Sequence, residues 1–184
     1  MKILCFGDSN TYGYDPRSCL GGRYDHPWPE LLAEKSGWQV LNQGENGREI
    51  PKAAVAFPQD TDLLIIMLGT NDLLQFWTPE AAAEKMENFL APLTLDRKKI
   101  LLLAPPPMTY GEWVQDQELI EDAVSLGNRY EALAQRMGIR FARIDCGPMM
   151  AHDGVHLTEE GHRTFSADLY NYLTQGECIC CKQE

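Results

Sequence analysis

Residues 63–68, Leu-Leu-Ile-Ile-Met-Leu, constrain the fold more than any other stretch of the chain. Six consecutive apolar residues leave no face for water, so the run predicts a strand covered on both sides, the centre of a parallel sheet. Shorter strand-like runs lie at 3–6, 38–41, 99–104 and 139–144. Helical periodicity fills the intervals. One helix opens at Pro29 and ends at Gly37, and a short one is expected across 50–57. Thr78-Pro79-Glu80 supplies a cap, a first-turn proline and an acidic first turn for a helix to about Leu93. Residues 116–137 repeat apolar side chains at threes and fours until Gly138, and a last helix runs from Thr158 to about Leu173. Strands that alternate with helices specify an α/β fold with right-handed crossovers and helices on both faces. The reading is one domain over 1–175 and a short tail over 176–184.

The chain has 184 residues and 16 Lys+Arg against 27 Asp+Glu, a net charge of −11. Such an acidic chain, without a basic run, argues against nucleic acid and against anionic membranes as partners. No apolar run approaches a membrane span, and residues 1–10 lack the long apolar core of a leader, so a cytoplasmic location is expected. Cysteines there stay reduced. Cys178, Cys180 and Cys181 crowd the tail with spacing too irregular for a metal site, and no metal or cofactor is expected.

In a parallel sheet every strand ends on one edge, where ligands bind. That edge gathers Gly7-Asp8-Ser9, the turn at 42–47, Thr70-Asn71-Asp72, the prolines at 105–107 and the segment 145–157. Ser9 alone fits a capped turn as well as a nucleophile. A nucleophilic serine needs a base, and the base needs an orienting acid. Of the four histidines, His26 and His152 lack an acid in a useful register, and His162 sits where a packed or solvated histidine is ordinary. His156 follows Asp153 by three residues in Asp153-Gly154-Val155-His156, so a bend at Gly154 can set the carboxylate under one ring nitrogen. Donors for a developing oxyanion are the Asn71 carboxamide and the backbone amides of Gly44 and Ser9.

Gly7-Asp8-Ser9, Asn42-Gln43-Gly44, Gly69-Thr70-Asn71-Asp72 and Asp153-Gly154-Val155-His156 fall in the order of the four blocks of the SGNH/GDSL hydrolases, which this chain resembles over nearly its whole length. The resemblance implies a flavodoxin-like three-layer α/β/α sandwich on a five-stranded parallel sheet. It makes Ser9 the nucleophile, His156 the base and Asp153 the orienting acid, with Ser9, Gly44 and Asn71 forming the oxyanion hole. Residues 3–9 and 64–72 and the Pro105-Pro106-Pro107 loop look like the arylesterase and acyltransferase branch. The chain departs from that branch in a short 12–28 region and in Asn10 after the nucleophile.

The expected activity is hydrolysis of small-molecule esters, or transfer of their short acyl groups, through an acyl-enzyme. An O-acetyl esterase of carbohydrates using the same triad is the near alternative. A non-catalytic flavodoxin-like binding module is the distant one, and it has no use for Asp153 and His156 in that register. Tyr12, Trp77, Met108 and Trp113 lie in or near the edge loops as candidates for an acyl or aryl pocket. A homo-oligomer is left open.

Overall fold

The computed structural model describes residues 1–18, 21–144 and 149–175. In chain order it comprises β1 (Lys2–Gly7), α1 (Ser9–Tyr12), β2 (Tyr14–Asp15), β3 (Gly22–Arg23), α2 (Trp28–Ser36), β4 (Gln39–Gly44), β5 (Leu63–Met67), α3 (Thr70–Leu74), α4 (Pro79–Leu90), a 3₁₀ turn at Arg97–Lys99, β6 (Ile100–Leu103), α5 (Gln117–Met137), β7 (Arg140–Ala142) and α6 (Glu159–Gln175). The main sheet has the order β4-β1-β5-β6-β7. Every pairing in it is parallel. This is the doubly wound, flavodoxin-like arrangement, and its order reverses between β1 and β5.

Alternation along the strands sends side chains to two separate cores. Leu4, Phe6, Leu64 and Ile66 face Met86 and Phe89 of α4 and Leu126 and Tyr130 of α5. Ile3, Cys5, Ile65 and Met67 face Trp28 and Leu32 of α2 and Phe165 and Leu169 of α6. Each of these large side chains contributes about 1.5–3 kcal/mol by leaving water. As expected for the central strand, all five residues of β5 are buried.

Two expectations change. The helix across 50–57 does not form. Pro51 lacks an amide hydrogen, and the Ile50 N–H is taken by Asp72 Oδ2 at 3.0 Å. Residues 42–44 belong to β4, not to the turn, because they continue the ladder through the pairs Cys5↔Asn42, Phe6↔Gln43 and Gly7↔Gly44. Between α1 and α2, Tyr14 and Asp15 pair antiparallel with Arg23 and Gly22. The tail at 176–184 lies outside the described residues. Among the described residues no helix is long and apolar enough to cross a membrane.

His162 on α6 is packed, not catalytic. It is fully buried, and its Nδ1 accepts the Trp28 N–H at 3.3 Å. Burial, with the nearby charges of His156 and Arg23, pushes its pKa down to about 3. A histidine depressed from its usual value near 6.5 contributes stability above that value and loses it as the pH falls toward 3. The cost at pH 4.5 is roughly 2–3 kcal/mol. His162→Asn keeps an acceptor and removes the titration. Urea unfolding should show a smaller loss of stability between pH 7.5 and 4.5 in the variant than in the wild type. An equal loss in both would remove His162 as the cause of acid lability.

Candidate active site

β1 ends at Gly7, and the chain turns at once into α1. Asp8 caps that helix, its Oδ1 accepting the Asn10 N–H at 3.0 Å. The turn is tight because Gly7 has no side chain: a Cβ there would lie 2.0 Å from the Thr11 hydroxyl and 2.8 Å from the Met67 carbonyl. Ser9 thus becomes the first residue of a helix at the carboxyl edge of the sheet, and its N–H has no intrahelical acceptor. Burial raises the Asp8 carboxyl to about 6, against the Asn10 amide, the charge of His156 and the Thr70 hydroxyl, which lower it.

The 149–157 segment arrives on the same edge. Asp153 Oδ1 accepts the N–H groups of Val155 and His156, at 2.9 and 3.0 Å, which winds the segment around the carboxylate. Gly154 adopts φ 81°, and a Cβ on it would lie 2.2 Å from the Thr109 carbonyl, so the bend admits only glycine. His156 Nδ1 lies 2.6 Å from Asp153 Oδ2, and its Nε2 lies 2.9 Å from Ser9 Oγ. An ionised carboxylate cannot donate, so Nδ1 carries the proton and Nε2 is the free lone pair facing the serine. Burial alone would raise the Asp153 carboxyl. The hydrogen bonds from the His156 ring and from the His156 and Val155 amides outweigh it and hold the carboxyl below its usual value. All three residues are buried, with Ser9 5% exposed and His156 3%. The imidazole lies between Tyr14, whose ring is 4.6 Å away and tilted, and Trp113, edge-on at 5.3 Å.

Asn10 is the contact that sequence reading did not find. Its side-chain Nδ2 donates to the Val155 carbonyl at 3.0 Å, and its Oδ1 accepts the Leu157 N–H at 2.9 Å. The two bonds bracket His156 and tie the loop carrying it to the turn carrying Ser9. The signal was present, as a polar side chain directly after the nucleophile, but its partners are about 145 residues away.

Asn71 is the second residue of α3, beside the site. One hydrogen of its Nδ2 goes to the Arg48 carbonyl at 3.0 Å, which leaves the second available. Gly44 is placed differently from the expectation. Its N–H donates to Asn42 Oδ1 at 2.9 Å, and a Cβ on it would lie 2.1 Å from the Tyr12 backbone nitrogen. Close packing of β4 against α1 accounts for this glycine, and its amide is already engaged. The next turn is exposed at Gly47, which has φ 74° and no atom within 4 Å of a built Cβ. Arg48 closes that turn with its N–H on the Glu45 carbonyl at 3.2 Å, while its guanidinium donates to the Gly7 carbonyl at 2.9 Å. Asp72 fixes the following residues through Ile50 and through an ion pair with Lys85.

Among the pocket candidates, Trp113 touches the imidazole, Met108 is buried, and Trp77 stands partly exposed beside the site. Tyr12 is half-buried, with Arg23 stacked on its ring. His26 is exposed and bonded to Glu34, and His152 lies near Glu112, so neither reaches Ser9.

Solved structures share this fold. An aryl esterase from M. smegmatis is 26% identical, superposes with a TM-score of 0.75, and is matched over 95% of this chain and 98% of its own. A carbohydrate acetylesterase family member from Sinorhizobium meliloti is 25% identical with a TM-score of 0.76, over 95% of this chain and 98% of its own. No curated protein sequence matches the chain. The profile of the GDSL-like lipase/acylhydrolase family matches residues 5–164, most of the chain from the first strand into the last helix, and the chain belongs to that family.

Proposed function

We propose that the protein is a serine esterase that removes short acyl groups from small esters, with Ser9 as nucleophile, His156 as base and Asp153 as the acid that orients it. The observation that carries the reading is the continuous hydrogen-bonded line from Asp153 Oδ2 through the imidazole to Ser9 Oγ, at 2.6 and 2.9 Å. Ser9 Oγ attacks the acyl carbon while its proton passes to His156 Nε2. His156 then protonates the leaving alcohol, and water repeats the cycle on the acyl-enzyme. The oxyanion meets the Ser9 N–H and the remaining hydrogen of Asn71 Nδ2. Because the Gly44 amide is engaged by Asn42, we assign the third donor to the Gly47 N–H, in the exposed turn whose Arg48 carbonyl receives Asn71.

The similarity to both an aryl esterase and a carbohydrate acetylesterase supports a short acyl group and leaves the alcohol to experiment. Phenyl acetate and acetylated xylose should be compared as substrates, with Ser9 labelled by a fluorophosphonate and the adduct located by mass spectrometry. Turnover with the label on Ser9 is the expected result. Absence of ester turnover, or a label on another residue, would overturn the assignment.

A further inference from the structure

A cleft of about 380 Å³ adjoins the triad and is not used by the chemistry described above. Trp77, Trp113 and Phe76 share its apolar lining with three leucines, and its polar lining is Asp116, Glu118, Asp122 and Thr78. No lysine or arginine lines it, although the Lys85 and Lys52 ammonium groups stand 4.5 and 6.0 Å from the centre of the Trp77 ring, which leaves Trp113 and Phe76 as the aromatic rings without a cation of the protein's own among the described residues. Trp113 belongs to both places: it lines the cleft, and its indole stands edge-on to His156 at 5.3 Å. The cleft therefore shares a wall with the reacting centre.

Its aromatic side chains are displayed to solvent. Trp77 is 39% exposed, Trp113 53% and Phe76 95%. Phe76 also holds φ 64°, the only positive φ at a described residue other than glycine. A bulky side chain in that region is strained, and one so exposed gains almost no burial in return. That conformation closes α3 in a Schellman turn, in which the Phe76 and Trp77 N–H groups donate to the Leu73 and Asp72 carbonyls at 2.9 and 3.1 Å, and the turn sets an aromatic ring at the rim of the cleft. Aromatic faces attract cations through the ring quadrupole, and carboxylates beside them add charge of the right sign. The same carboxylates repel anionic groups, and Asp116 also caps α5, its Oδ1 accepting the Glu118 N–H at 3.0 Å.

We propose that this cleft binds an alkylammonium group carried by the ester substrate, and so selects cationic esters over neutral ones of equal shape. The proposal rests on the esterase reading, with the cation held in the cleft and the ester carbonyl at Ser9.

Two isosteric pairs test it. With the cation on the alcohol, acetylcholine is compared with 3,3-dimethylbutyl acetate. With the cation on the acyl group, ethyl 4-(trimethylammonio)butanoate is compared with ethyl 5,5-dimethylhexanoate. In one pair the cationic ester should have a kcat/KM higher by about tenfold, mainly through KM, and the pair that shows it identifies the side of the ester that enters the cleft. The ratio should fall severalfold in Asp122→Asn and Glu118→Gln and at high salt. A ratio near one in both pairs overturns the proposal, and so does a ratio that the two substitutions leave untouched. A binding arm separates this proposal from the esterase reading. Choline should quench tryptophan fluorescence saturably, more weakly in Asp122→Asn, while 3,3-dimethylbutanol should not. Quenching without ester turnover would sink the esterase reading and keep the cation site. Turnover of phenyl acetate without choline binding would do the reverse.

Discussion

Ser9→Ala should abolish ester turnover, lowering kcat by three to six orders of magnitude while leaving the fold intact. The nucleophile is lost, and the oxyanion donors alone account for what remains. The side chain removed is small, and its one hydrogen bond is to His156 Nε2, so thermal unfolding should hardly move. Asp153→Asn tests the same line from its other end. Asn can keep Oδ1 on the Val155 and His156 amides, so the loop retains its shape. Its NH₂ then replaces Oδ2 opposite His156 Nδ1. Two donors cannot face each other, so Nδ1 must accept, and the proton moves to Nε2, against the serine. The base is lost by tautomer with the geometry kept, and a loss of about 10⁴ in kcat is expected. Activity within a hundredfold of wild type in either variant would rule out this triad. Because the Asp153 carboxyl is held below its usual value, it stays ionised through the working range.

Asn10→Leu should cost the next most. Leucine matches the volume and removes both bonds that bracket His156. The imidazole then depends on the loop alone for its position relative to Ser9. A misplacement of about 1 Å lowers rate by roughly 10²-fold. We expect kcat for phenyl acetate to fall about 10- to 100-fold, with KM changed less than about threefold. The rate of Ser9 phosphonylation should fall in proportion to kcat. Asn10→Asp gives an independent signature. When ionised, the carboxylate accepts from Leu157 but opposes the Val155 carbonyl, and when protonated it reproduces the donor and acceptor of asparagine. Its burial raises its folded-state pKa, so stability is present at low pH and lost as the pH rises through that value. The Tm deficit of Asn10→Asp should therefore narrow between pH 8 and pH 5. A KM effect without a kcat effect in Asn10→Leu, or a deficit independent of pH in Asn10→Asp, would assign Asn10 to general stability only.

The differences between sequence and structure have particular causes. The parallel sheet was legible because residues 63–68 admit no solvent face, and the helix starts at Thr78-Pro79 and Asp116 because capping is local chemistry. The segment at 50–57 misled because its two buried side chains, Ile50 and Phe57, imitate a helical spacing. Its backbone is held by Asp72, which sequence cannot place beside it. Gly44 misled for a similar reason: a glycine that lets a helix approach and a glycine that bares an amide look alike in sequence. Only the 2.1 Å separation from the Tyr12 backbone tells them apart.

By itself, the sequence determined the layer architecture, since periodicity and capping depend on near neighbours, and it marked Ser9, Asp153 and His156 as candidates through motifs in a fixed order. The tertiary structure decided what depends on distant ones. It set the 2.9 Å from His156 to Ser9 across 147 residues, the Asn10 clamp, the commitment of the Gly44 amide to Asn42, and the meeting of Trp77 with Trp113 in an acidic cleft. Those contacts form only when β1, β5 and the segment before α6 bring their ends to one edge of the sheet, and no local rule of the chain specifies which side chains will then touch.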